Sequence, residues 1–156
     1  MSKLYFSGPL FSHAEKEFNN TLSGKLEERG FSVFLPQRDG AENDAAFYAN
    51  LTNYEKKEAI FAVDRMRILE CDVFLFILDG RVPDEGSCVE LGIAYTQKYL
   101  NQSRKILIGL HTDSRAAFIG SKVNPMINQA LDAIVKSEDE LIAYLDSQRM
   151  AVTSRG

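Results

Sequence analysis

Along the chain, short apolar runs alternate with longer stretches in which apolar residues return every three or four positions. The run Leu4-Tyr5-Phe6-Ser7 is β-prone and stops at Gly8-Pro9. Over residues 12–29, Phe18, Leu22 and Leu26 recur at helical spacing, and Gly30 ends the helix they predict. Phe31-Ser32-Val33-Phe34-Leu35 reads as a second strand, followed by the turn Pro36-Gln37-Arg38-Asp39-Gly40. Residues 41–54 are polar with scattered aromatics and no clean period, which predicts a long loop or short helices. A helix over 55–69, with Ile60, Val63 and Ile68 as its apolar positions, leads into the continuous apolar strand 73–78. The polar Gly/Pro loop 79–87 precedes a helix over 87–99 with Ser87 as its expected N-cap, and residues 105–110 form a further strand. Segment 127–135, after Asn124-Pro125-Met126, begins helical and ends as a short strand, and a last helix covers 138–147.

Strand and helix alternate throughout, and the strands are nearly continuous in apolar residues. That pattern predicts one α/β domain over 1–156: a doubly wound, flavodoxin-like or Rossmann-like parallel sheet of about five strands with helices on both faces. Ligands of such sheets bind outside the carboxyl ends of the strands, so chemistry is expected in 7–11, 36–40, 79–90 and 111–124. Composition narrows the partners. With 18 Lys+Arg against 22 Asp+Glu, the net charge of −4 removes the attraction behind non-specific binding to nucleic-acid polymers or anionic membranes. No apolar run approaches the roughly 18 residues of a membrane span, and Gly8-Pro9 interrupts any signal-peptide core, so a cytoplasmic location is expected. Cys71 and Cys88 fall in no CxxC pattern, and His13 and His111 lack zinc-ligand spacing, so no metal is expected.

The acids stand out. Asp79, Asp84, Glu85 and Glu90 all follow the most apolar strand. A helix N-terminus stabilises an acid by about 0.3–1 kcal/mol, which accounts for Asp84 and Glu85. Glu90 lies among Val89, Leu91, Gly92, Ile93 and Ala94, where burial raises a carboxyl pKa unless donors face it. Glu90 is therefore a candidate nucleophile or base, with the helix-terminus account standing beside it. Asp64, taken alone, reads as an exposed pair with Arg67 at i,i+3. The loop after the first strand has neither G-x-G-x-x-G nor a Walker lysine, against dinucleotide and ATP phosphates. Gly8 still permits close backbone approach to a small ligand. Tyr5 offers a hydroxyl and Phe11 a flat face, with core packing the ordinary alternative for both. Neither a G-x-S-x-G elbow nor a histidine triad is present. Paired acids without histidine suit glycosidic bonds.

These segments resemble the nucleoside 2-deoxyribosyltransferase family: Tyr5 to Phe11, the Asp64 helix with Cys71-Asp72-Val73, Pro83 to Tyr95, and Val123-Asn124-Pro125-Met126. The resemblance implies that Glu90 takes the 2-deoxyribosyl group of a 2′-deoxynucleoside donor as an ester and passes it to a free nucleobase acceptor, with net retention and no cofactor. It implies that Tyr5 orients Glu90, that Asp64 and Asp84 contact the base or exchange its proton, and that Phe11 and Gln37 line the base pocket. Gly8, Asp39, Ser87 and Met126 are further candidate binding residues. Asn124 would reach the sugar 5′-hydroxyl in a neighbouring subunit's site, so a homo-oligomer is expected. Residues 150–156 lack the aromatic terminal segment of the better-known transferases. Two other readings stand beside transfer. One is an N-glycosidase of deoxynucleosides or their 5′-monophosphates, with Ser87 and its helix N-terminus as the phosphate-ready feature. The other is a non-catalytic nucleotide-binding module.

Overall fold

The computed structural model describes residues 1–41, 46, 49–114 and 123–153. Five parallel strands, β1 (Ser2–Ser7), β2 (Phe31–Phe34), β3 (Val73–Ile77), β4 (Ile106–Leu110) and β5 (Ala133–Val135), form one sheet in the order β2-β1-β3-β4-β5. This is the flavodoxin-like order, with its topological switch between β1 and β3. Helices among the described residues include α1 (His13–Glu28), the single turn α2 (Pro36–Asp39), α3 (Asn53–Glu70), α4 (Glu85–Asn101), α5 (Pro125–Ala130) and α6 (Glu138–Thr153).

Alternation along each strand divides the core between the two faces. Leu4, Phe6, Val73, Leu75 and Ile77 meet Leu22 and Leu26 of α1 and Leu141 and Leu145 of α6 on one side. Tyr5, Phe74, Phe76 and Leu107 meet Ile68 of α3 and Leu91 and Ala94 of α4 on the other. All five residues of β3 are buried, as a central strand covered on both faces requires.

Caps account for most boundaries. Ser12 and Glu15 form a capping box at α1, and Thr52 and Glu55 form one at α3. The expected start of α4 at Ser87 is corrected: Asp84 is the N-cap, its carboxylate accepting the Ser87 N–H at 2.8 Å, so the helix begins two residues earlier. The turn at 36–40 closes as α2, because Asp39 accepts the Leu35 N–H at 2.9 Å and Gly40 N–H bonds to Pro36 O. The last helix also outruns its expected end. Arg149 lies over the Phe31 ring at 4.8 Å and donates to Arg29 O at 2.7 Å, holding α6 against the start of β2. Of the loop expected over 41–54, residues 42–45, 47 and 48 lie outside the described residues, as do 115–122 of the expected site loop 111–124.

Candidate active site

At the switch point, residues from β1, α3 and α4 converge. In α4, Ser87, Leu91 and Ala94 are buried at helical spacing. Glu90 lies on that stripe, which carries its side chain toward the sheet. Its two oxygens are held separately: Tyr5 Oη donates to Oε1 at 2.8 Å, and Ser7 Oγ donates to Oε2 at 2.5 Å. Tyr5 and Ser7 are two apart on β1 and share a face. Both are buried.

The phenol is fixed from the sides. Tyr5 pairs in register with Phe34 on β2 and Phe74 on β3, and its ring stacks on both, with centroids 5.6 and 5.7 Å away. The Asp64 carboxylate of α3 acts on the same hydroxyl, helping to hold its proton. On that helix Ile60 and Ile68 stand four residues either side of Asp64, and Ile68 is fully buried, so the stripe that packs α3 turns Asp64 inward. The exposed Asp64–Arg67 pair read from the sequence gives way to this: Arg67 spreads over the Phe34 ring at 5.3 Å and pairs with Glu70 at 3.6 Å.

Burial pushes the Glu90 carboxyl up to about 7; the Ser7 and Tyr5 hydrogen bonds oppose that rise, while the charges of Asp64 and Asp84 add to it. Burial, reinforced by the charges of Glu90 and Asp64, holds the Tyr5 phenol far above its ordinary range, so it remains a proton donor.

Two hollows share Ile60, Asp64, Gly86 and Glu90 as a common wall. One, of about 190 Å³, is completed by Ser7, Gly8, Leu10, Phe11, Pro36, Gly40, Ala41, Asp84 and Ser87. The other, of about 330 Å³, runs out between Phe61, Arg65, Val89 and Ile93. Glu90 thus borders both hollows. A larger hollow of about 650 Å³ lies around Cys71 and Lys105 at the amino ends of the strands, away from these acids. The carboxyl ends are where this fold class binds ligands, and the acids are there.

Tyr5, Asp64, Asp84, Glu90, Gly8, Phe11 and Ser87 are therefore gathered at one place. Gln37 and Asp39 are not. Gln37 turns to α1, donating to Lys16 O at 2.9 Å and Asn20 Oδ1 at 3.0 Å and accepting from Asn19 Nδ2 at 3.0 Å. Asp39 binds Arg38 at 2.8 Å and caps its own turn, so only their neighbours Pro36 and Gly40 reach the cleft. Asn124 caps α5 by accepting the Met126 N–H at 2.9 Å, and both residues are exposed outside the two hollows. Ser7 is the residue missed in the sequence, although its place two residues after Tyr5 on a strand was a usable signal. Among the described residues, no group of three His, Cys, Asp or Glu is placed to hold a metal.

Fold and site together define a doubly wound α/β protein with a clamped carboxylate at its switch point. The family model for nucleoside 2-deoxyribosyltransferase matches residues 4–142, and the chain belongs to that family. A conserved protein from Enterococcus faecalis V583 is 25% identical with a TM-score of 0.75, over 95% of this chain and 99% of its own. The 2-deoxyribosyltransferase from Bacillus psychrosaccharolyticus is 21% identical with a TM-score of 0.71, over 90% of each chain. The Clostridium botulinum CMP N-glycosidase BcmB is 18% identical with a TM-score of 0.53, over 92% of this chain and 98% of its own. No curated protein matches in sequence.

Proposed function

We propose that this protein moves 2-deoxyribose from a 2′-deoxynucleoside to a second nucleobase through an ester on Glu90. The observation that carries this reading is the Glu90 carboxylate, half-buried, gripped by two hydroxyls and sharing one cleft with Asp64 and Asp84. In the first half, a Glu90 oxygen attacks the anomeric carbon and the N-glycosidic bond breaks. Its electron pair leaves on the base nitrogen, and Asp64 or Asp84 supplies the proton. In the second half, a ring nitrogen of the incoming base attacks the same carbon, the bond to Glu90 breaks, and the base's proton returns to the acid. Two inversions give retention.

Asp84 also bears on the substrate's charge. Its carboxylate already takes the Ser87 N–H where a 5′-phosphate would seek the α4 N-terminus. This supports an uncharged nucleoside over a 5′-monophosphate. Transfer requires water to be kept from the ester. The cleft opens beside the exposed Phe61 and Val89, so a second copy of the chain is the expected cover, with its Asn124 offered to the sugar.

Chromatography tests the reading, using deoxyinosine or thymidine with and without adenine or cytosine. A new deoxynucleoside is expected only when acceptor is present. Free base released equally without acceptor would make the protein an N-glycosidase. Binding without product, at enzyme matched to substrate, would make it a binding module.

A further inference from the structure

We infer that Ser7 is a positioning residue of the nucleophile: its hydroxyl presents Oε2 of Glu90 as the attacking oxygen and stabilises that oxygen when the ester breaks. The inference rests on the glycosyl transfer proposed above and extends it to one oxygen and one half-reaction.

The two oxygens of Glu90 are not equivalent. Oε1 bonds to the Tyr5 hydroxyl, on a ring that is fully buried between Phe34 and Phe74 and is not part of the cleft wall. Oε2 bonds to Ser7, and Ser7 is itself part of that wall. A sugar in the cleft therefore meets the Ser7-bound oxygen first. Ser7 is the last residue of β1, only 1% exposed, and Gly8 behind it approaches Ile77 so closely that a Cβ would stand 2.7 Å from the Ile77 Cβ. The strand end, and with it the hydroxyl, is held in place.

Among the described residues, Tyr5 from β1, Asp64 from α3 and Asp84 ahead of α4 act on the Glu90 carboxyl, and the cations Lys57 and Arg65 of α3 line the outer hollow that it borders. When ionised, each acid repels the carboxylate, and the Ser7 and Tyr5 hydrogen bonds favour its ionised form. Oε2 attacks with one lone pair while a second accepts the Ser7 proton. As ester, Oε2 is a poor acceptor. As the ester breaks, its electron pair returns to Oε2 and the Ser7 hydrogen bond tightens, so Ser7 acts most strongly on the second half.

The test compares wild type, Ser7→Ala and Ser7→Thr. For Ser7→Ala, the acid limb of kcat/KM and the ¹³C titration of the Glu90 carboxyl are both expected to move up by about one pH unit. Above that limb, kcat is expected to fall about tenfold. Acid-quenched intact mass should show a larger fraction of protein carrying one deoxyribosyl group. Ser7→Thr, which keeps the hydroxyl, should restore all three. An unmoved limb with an unchanged ester fraction would overturn the role of Ser7 alone, as would failure of Ser7→Thr to rescue. Absence of any ester on wild type, with turnover surviving in Glu90→Ala, would overturn the transfer reading and this inference with it.

Discussion

At the scale of single residues, Glu90 is held in conflict: its environment favours the neutral acid, while attack on a sugar needs the anion. Because its folded pKa, about 7, lies above the ordinary 4.5, the fold binds this proton more tightly than the unfolded chain does. The contribution to stability is complete below pH 4.5 and is lost as pH rises through about 7. Glu90→Gln should therefore be more stable than wild type at pH 8, by on the order of 1–3 kcal/mol, and about equal to it at pH 4.5. Urea unfolding at the two pH values measures this, and a less stable variant at pH 8 would contradict it. The same variant should lose transfer altogether. For wild type, kcat/KM should rise with pH along an acid limb near 7, and Tyr5→Phe should move that limb upward, because its hydroxyl lowers the Glu90 pKa. At this scale the site was partly legible. Glu90 announced itself as an acid within an apolar stripe. Ser7 was signalled only by its place two residues after Tyr5, and a serine ending a strand looks like any loop-facing hydroxyl until the facing helix is placed. Gln37 and Asp39 sit in the right turn, yet their side chains are spent on α1 and Arg38, which spacing alone does not reveal.

At the scale of elements, the cap that starts α4 doubles as a wall of the cleft. Asp84 accepts the Ser87 N–H, so it sets where the helix begins and therefore where Glu90 falls one turn and a half later. Charge and cap can be separated. Asn is as good an N-cap as Asp, so Asp84→Asn should unfold within a few tenths of a kcal/mol of wild type, while Asp84→Ala should lose about 1 kcal/mol. Both should lose activity if the carboxylate handles the base's proton; a fully active Asp84→Asn would leave Asp84 as a cap only. Gly8 makes the matching test on β1. A methyl there meets Ile77, so Gly8→Ala should cost about 1–3 kcal/mol in thermal or urea unfolding and displace the turn that carries Phe11. Element types were readable because β3 is apolar on both faces and α1 is amphipathic between a serine cap and Gly30. Boundaries were less so: α4 starts at a cap hidden in an acid-rich loop, and α6 is prolonged by a contact from Arg149 to β2, far away in sequence.

At the scale of the whole molecule, the strand order puts Asp64, Asp84 and Glu90 at the crevice between β1 and β3 and, among the described residues, leaves one side of it open. Among the described residues, no helix is long and apolar enough to cross a membrane. Beside the crevice, Phe61 is 51% and Val89 59% exposed in the single chain. A second copy of the chain would bury them and, in the same step, shut water out of the hollow they share with Glu90. Assembly and the choice between transfer and hydrolysis are then one question. Val89→Asp places a charge at the rim without altering Tyr5, Ser7, Asp64 or Asp84. Sedimentation equilibrium should find wild type as an oligomer and Val89→Asp shifted toward monomer. Chromatography of the same samples should show the ratio of transferred to hydrolysed deoxyribose falling as the oligomer dissociates, because water then reaches the ester before the acceptor base does. A monomeric wild type that still transfers without hydrolysis would mean that the chain excludes water by itself, and the exposed face of α3 and α4 would have no part in catalysis.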